Sequence, residues 1–129
     1  MIVDTSALIA IIFDEPEASD LLAVLMSGRC RMSAATCFET GMVIDRKAEN
    51  GFRAEAFKEL LVLAEIEIVP FGEDQIRLAR SAYAEFGKGR HRARLNFGDC
   101  FTYALAKETG EPLLFKGNDF SQTDIISAV

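Results

Sequence analysis

Four acidic residues could do chemistry in this chain: Asp4, Glu39, Asp99 and Asp119. Asp4 follows the β-branched pair Ile2-Val3 and precedes Thr5-Ser6 and an apolar helical run from Ala7 to Ile12. In open α/β sheets the ligand crevice lies outside the carboxyl ends of the strands, so a carboxylate at such a turn can bind a metal ion or move a proton. Capping of the first helix by Asp4 or Ser6 would explain the same residues without chemistry. Glu39 borders Ala35, Met42 and Val43 at helical spacing, so it either needs a partner or reaches past an apolar rim to water. Asp99 falls in the first turn of a helix capped by Asn96, where the helix dipole favours a carboxylate on its own account. Asp119 sits in a Gly-Asn-Asp turn, a common place for aspartate. Asp124, five residues on, is a second candidate for the fourth acid.

Each acid has a structural explanation, but together they cluster after strands or in helices that start at one sheet edge. Oxygen donors without a His or Cys group suit Mg²⁺, with Mn²⁺ as a substitute, and argue against zinc. Such ions promote phosphodiester hydrolysis by activating water and neutralising phosphate charge. Without the ion the carboxylates repel, which should raise some of their pKa values. Lys88, Arg90, Arg92 and Arg94, with His91, occupy seven residues just before Asp99. Such a loop can hold a phosphate backbone without reading sequence, although a charge run is also an ordinary solvated loop. His91, the only histidine, is not needed as a general base where a metal activates the water.

Positioning these groups requires strands alternating with helices. The strands are expected at Ile2-Val3, Arg29 to Ser33, Ile66 to Pro70 and Leu113 to Phe115, with a short last one near Asp124 to Ile126. A helix restarts at Asp14-Glu15-Pro16-Glu17 and stops at Gly28, its acids suiting the dipole. A long helix from Ala34 to Glu49, ended by Asn50-Gly51, and another from Phe52 to Glu65 form an αα-hairpin, with Phe57, Leu60, Leu61 and Leu63-Ala64 facing inward. Further helices run from Asp74 to Phe86 and from Phe97 to Glu108. This alternation implies a mainly parallel sheet covered on both faces, a three-layer α/β/α sandwich, in one domain spanning residues 1–129.

The net charge of −6 argues against nucleic-acid binding by the whole surface, though not by a local basic patch. Cys30, Cys37 and Cys100 form no C-x-x-C pair, and the odd count fits reduced thiols packed in a core. The apolar N-terminus lacks a basic leader and is interrupted by Asp4, and no run approaches the ~20 apolar residues of a membrane span. A cytoplasmic protein without membrane contact is the expectation.

Met1 to Leu8, a glutamate in the helix after strand two, and Leu95-Asn96-Phe97-Gly98-Asp99-Cys100 resemble the PIN-domain ribonucleases, specifically the VapC toxins of bacterial toxin–antitoxin pairs. The likeness spans the chain in order and spacing, and Leu113 to Phe120 is similar to the family's closing block. It implies an acidic metal site of Asp4, Glu39 and Asp99, with Asp119 as fourth acid. Many members place that acid earlier in the block, where this chain has Lys116-Gly117. Asp4, Asp99 and Asp119 would hold Mg²⁺, and Glu39 would complete the site or orient the attacking water. Ser6 matches a hydroxyl or amide position of the family and joins Lys88, Arg90, Arg92 and Arg94 as a substrate-binding residue. The resemblance further implies an endoribonuclease cutting structured RNA, often transfer RNA, a VapB-type antitoxin, a homodimer, and a larger assembly with the antitoxin. A groove along the αα-hairpin would suit capture of an antitoxin helix.

Other functional classes fit the residues less well or differ in outcome. A haloacid-dehalogenase-type phosphatase needs a second acid two residues after the first, and Ser6 stands there. A signalling receiver needs paired acids after strand one, which are missing. A catalytically degenerate PIN domain that only binds RNA or protein is the stronger alternative.

Overall fold

The computed structural model describes residues 1–47 and 51–129. The sheet has four short parallel strands in the order β3-β2-β1-β4: β1 (Ile2–Val3), β2 (Arg31–Ser33), β3 (Glu67–Val69) and β4 (Leu113–Leu114). Helices α1 (Thr5–Ile12), α2 (Ala18–Leu25), α3 (Ala34–Lys47), α4 (Phe52–Leu63), α5 (Glu73–Phe86) and α6 (Phe97–Thr109) cover it. The three-layer α/β/α sandwich expected from the alternation is what forms.

Successive strand residues point to opposite faces, so a strand covered on both sides must be apolar at every position. Strands β1 and β4, paired side by side, meet that demand. Val3 and Leu114 enter one core with Leu8, Leu25, Met32, Ile44 and Phe57. Ile2 and Leu113 enter the other with Phe86, Leu95, Tyr103 and Leu105. Register pairs Ile2 with Leu113 and Val3 with Leu114, so Asp4 emerges just past the paired edge. Its backbone N–H still donates to Leu114 O at 3.0 Å.

Several details differ from the expectation. Leu63 does not face inward but is 68% exposed. The buried stripe of α4 runs Phe57, Leu60, Leu61, Ala64, and Leu63 falls off that i, i+3, i+4, i+7 series. The last strand shrinks to a single bridge between Leu113 and Ser127, with Leu113 N–H donating to Ile126 O and Ala128 N–H to Leu113 O. Before it, Phe120–Gln122 form a 3₁₀ turn. Helix α2 starts at Ala18, and the acids ahead of it do more than face its dipole: Glu15 and Glu17 both pair with Lys116. The expected end of the long helix at Glu49-Asn50 lies outside the described residues. Cys30 and Cys100 are buried and Cys37 is half-buried, all as free thiols.

Candidate functional site

Asp4 is the N-cap of α1 and is buried, so its carboxylate must be satisfied from within the protein. Its Oδ2 accepts from the Ser6 backbone N–H at 2.9 Å and from Ser6 Oγ at 2.7 Å, while Oδ1 accepts from Thr102 Oγ1 at 2.8 Å. Capping and site-building are therefore the same act here. Ser6 Oγ in turn accepts the Lys116 backbone N–H at 3.0 Å, which ties the loop after β4 to the turn after β1. Behind Thr102, Thr36 Oγ1 lies 3.1 Å away, deep in the interface of α3 and α6.

Glu39 projects from α3 toward the same sheet edge. Thr5 Oγ1 donates to its Oε1 at 2.8 Å, and Thr40 Oγ1 lies 3.0 Å from the same Thr5 hydroxyl. Glu39 can occupy this place because residue 98 is glycine: a Cβ on Gly98 would lie 1.8 Å from Glu39 Oε2. Burial pushes the Glu39 carboxyl above its usual range, Thr5 opposes this, and the charge of Asp4 adds to it.

Asp99 sits in the first turn of α6, in a reciprocal capping box. Asn96 Oδ1 accepts the Asp99 N–H at 2.9 Å, and Asp99 Oδ2 accepts the Asn96 N–H at 2.9 Å. Despite that hydrogen bond, Asp99 is pushed up to about 7. Burial is the largest cause, and the charges of Asp4, Asp119 and Glu39 add to it. The three other acids named from the sequence thus all act on this one carboxyl group. Asp124 does not join them. It accepts from Tyr103 Oη at 2.7 Å and pairs with Lys107 at 2.8 Å, and although partial burial works against it, these contacts hold its pKa below the ordinary value.

Among the described residues, none of Asp4, Glu39, Asp99 and Asp119 forms an ion pair with a lysine or arginine. The negative charge of this edge is answered only by hydroxyl and amide dipoles, which fits a hard divalent cation. The acids are not drawn together in advance, since among the described residues no three His, Cys, Asp or Glu side chains converge closely enough to hold one.

A family model for the PIN domain matches residues 1–126. The ribonuclease VapC30 of Mycobacterium tuberculosis is 47% identical over 129 residues, covering 97% of this chain and 95% of the relative. The ribonuclease VapC of Mycolicibacterium smegmatis is 48% identical over 129 residues, covering 97% of each. This chain belongs to the PIN-domain family, among the VapC toxins. Two solved structures share its fold at low identity. VapC20 of M. tuberculosis, titled a sarcin–ricin loop cleaving toxin, superposes with a TM-score of 0.77 at 17% identity, covering 97% of this chain and 95% of its own. A chain of a toxin–antitoxin complex from Klebsiella pneumoniae gives 0.72 at 16% identity, covering 99% and 97%.

The basic loop of this VapC-family chain divides into two groups. Lys88 and Arg90 line a groove between α5 and α6 that also contains Asn96 and Phe97, whereas Arg92 and Arg94 are exposed but are not part of its wall. His91 is structural, its Nδ1 accepting the Ala93 N–H at 3.0 Å and its ring packing edge-on against Phe86. Sequence reasoning missed Thr5, Thr102 and Gly98. Thr102 had a signal, since it lies three residues after Asp99 and so shares its helix face. Gly98 had none, because its role depends on a helix far away in sequence.

Proposed function

We propose that this protein is a divalent-metal-dependent endoribonuclease toxin that hydrolyses phosphodiester bonds in structured RNA, transfer RNA foremost. The observation that carries the reading is Asp99, a half-buried carboxyl pushed up to about 7 near three further acids, none of the four ion-paired with a lysine or arginine among the described residues. Perturbed carboxyls of this kind gather at functional sites. Mg²⁺, or Mn²⁺ in its place, would be held by Asp4, Asp99 and Asp119, and when bound would supply an activated water and offset phosphate charge. Ser6 and Thr102 fix both oxygens of Asp4, so its orientation is set before any ligand arrives. Glu39, steadied by Thr5 and seated against Gly98, is placed to accept a proton or orient a water. Lys88 and Arg90 beside Asn96 are placed to hold the RNA backbone.

The family's naming and the toxin–antitoxin complex among the structural relatives support a VapB-type antitoxin as partner. Exposed apolar side chains on α2, α3 and α4, among them Met26, Phe38, Met42, Val62 and Leu63, offer the surface for an antitoxin helix, for a homodimer and for the larger assembly of both. No described helix is long and apolar enough to cross a membrane, and a cytoplasmic site of action is proposed with the rest.

The deciding experiment incubates the purified protein with a transfer RNA and a ribosomal RNA fragment and maps new 5′ ends. Cleavage that needs Mg²⁺, stops with EDTA and falls at least a hundredfold in Asp4→Asn is expected. RNA binding without cleavage in every metal tried would favour a degenerate, binding-only PIN domain.

A further inference from the structure

A groove of about 720 Å³ lies between α5 and α6, and none of the four acids lines it. Its floor is aromatic. Phe71 and Phe97 each stack edge-on against Phe101, with ring centroids 4.6 Å and 4.8 Å away. Phe97 stands at the mouth, 80% exposed. An aromatic ring so exposed at the edge of an apolar groove offers a surface on which a flat partner can stack.

The rim is positive. Arg80 from α5 and Lys88 and Arg90 from the loop line the groove, Arg90 lying 5.9 Å over the Tyr83 ring, and none of the lining residues is acidic. Among the described residues none of these three cations forms an ion pair, although the chain as a whole carries −6. A second copy docked here by a two-fold axis would place this patch on itself and crowd six like charges together. A polyanion with flat apolar faces matches both floor and rim. The wall of the groove includes Asn96 and Phe97, at the N-terminal end of the helix that carries Asp99.

We infer that this groove is a base-stacking subsite: an unpaired nucleobase of the RNA stacks on Phe97, while Arg80, Lys88 and Arg90 hold the flanking phosphates. Aromatic stacking of this kind tolerates any base, so the subsite selects unpaired over paired RNA and not a particular sequence. The inference rests on reading the chain as an RNA-cutting protein, but its test does not require cutting.

Fluorescence anisotropy in EDTA measures binding of a labelled twelve-nucleotide single-stranded RNA to the unmodified protein, to Phe97→Ala and to Phe97→Trp. Truncating so exposed a ring leaves the core untouched, and a thermal melt checks that. Phe97→Ala should weaken binding between about fivefold and a hundredfold, and Phe97→Trp should restore it. An oligonucleotide with abasic sites should bind the unmodified protein as weakly as the intact one binds Phe97→Ala. Arg90→Gln should weaken both oligonucleotides alike and flatten the salt dependence. Equal affinity of unmodified protein and Phe97→Ala would overturn the inference, as would no binding by either. So would a fall in native mass by light scattering in Phe97→Ala, which would assign the groove to a second copy. Base-dependent binding through Phe97 without cleavage in any metal would instead retain the subsite and remove the nuclease.

Discussion

Asp99→Asn offers a direct test of how the acid site is built, because it removes one charge and almost nothing else. The amide oxygen of Asn can still accept the Asn96 N–H, so the capping box that starts α6 survives. What changes is ionisation. The carboxyl of Asp99 lies near 3.8 in the unfolded chain and about 7 in the folded one. Between those values the folded protein keeps a proton that the unfolded chain has released, so the contribution of this group to stability declines as pH rises through the window and is gone above the folded pKa. Each pH unit is worth about 1.4 kcal/mol, which sets a ceiling of roughly 4 kcal/mol across the window. From pH 5.5 to 8.5 only the part up to about 7 is sampled, about 2 kcal/mol, and water reaching the half-buried group reduces that to ~1–2. Urea unfolding in EDTA reads it: with a slope near 2 kcal/mol per molar, the midpoint of Asp99→Asn should gain roughly 0.5–1 M on the unmodified protein between the two pH values. Titrating groups remote from the acid site are common to both proteins and cancel in the difference. Mg²⁺ at pH 8.5 should stabilise the unmodified protein more than the variant, narrowing the gap. A gap that stays constant with pH, or an Asn variant less stable at pH 8.5, would refute the account of mutual repulsion relieved by a cation.

Other expected outcomes follow from the same geometry. Gly98→Ala must displace the Glu39 carboxylate, which its Cβ would meet at 1.8 Å, while alanine is favoured over glycine in a helix by up to ~1 kcal/mol. Cleavage should drop at least tenfold with no loss of melting temperature, and a fall in both would point to a packing role only. Thr102→Val removes the hydroxyl donating to buried Asp4 Oδ1 and should cost about 1–3 kcal/mol in denaturant unfolding, whereas Thr102→Ser should restore most of it. Lys116→Met releases Glu15 and Glu17 and loosens the loop whose N–H holds Ser6. Metal affinity by titration calorimetry should weaken severalfold while the pH–stability gap of Asp99 persists.

Local patterns made much of this legible. Ile2-Val3 and Leu113-Leu114 have no polar position, which signals a strand covered on both faces, and they became the neighbouring strands β1 and β4. Asn96 to Asp99 announced a capped helix start, and the box formed as those residue types demand. The tail misled because Asp124-Ile125-Ile126 has strand-like composition. Its aspartate is instead anchored by Tyr103 and Lys107, leaving a single bridge to β4.

The sequence by itself determined that carboxylates would arrive at the carboxyl edge of a parallel sheet, because strand–turn–helix order fixes which end of each element they occupy. Only the tertiary structure decided how they are held. The Thr102 hydroxyl reaches Asp4 across 98 residues, Thr5 reaches Glu39 across 34, and Gly98 leaves the space that Glu39 fills. Such contacts join positions whose spacing in the chain carries no periodicity. They exist because two helices and a strand end pack at one place, and that packing is a property of the whole core.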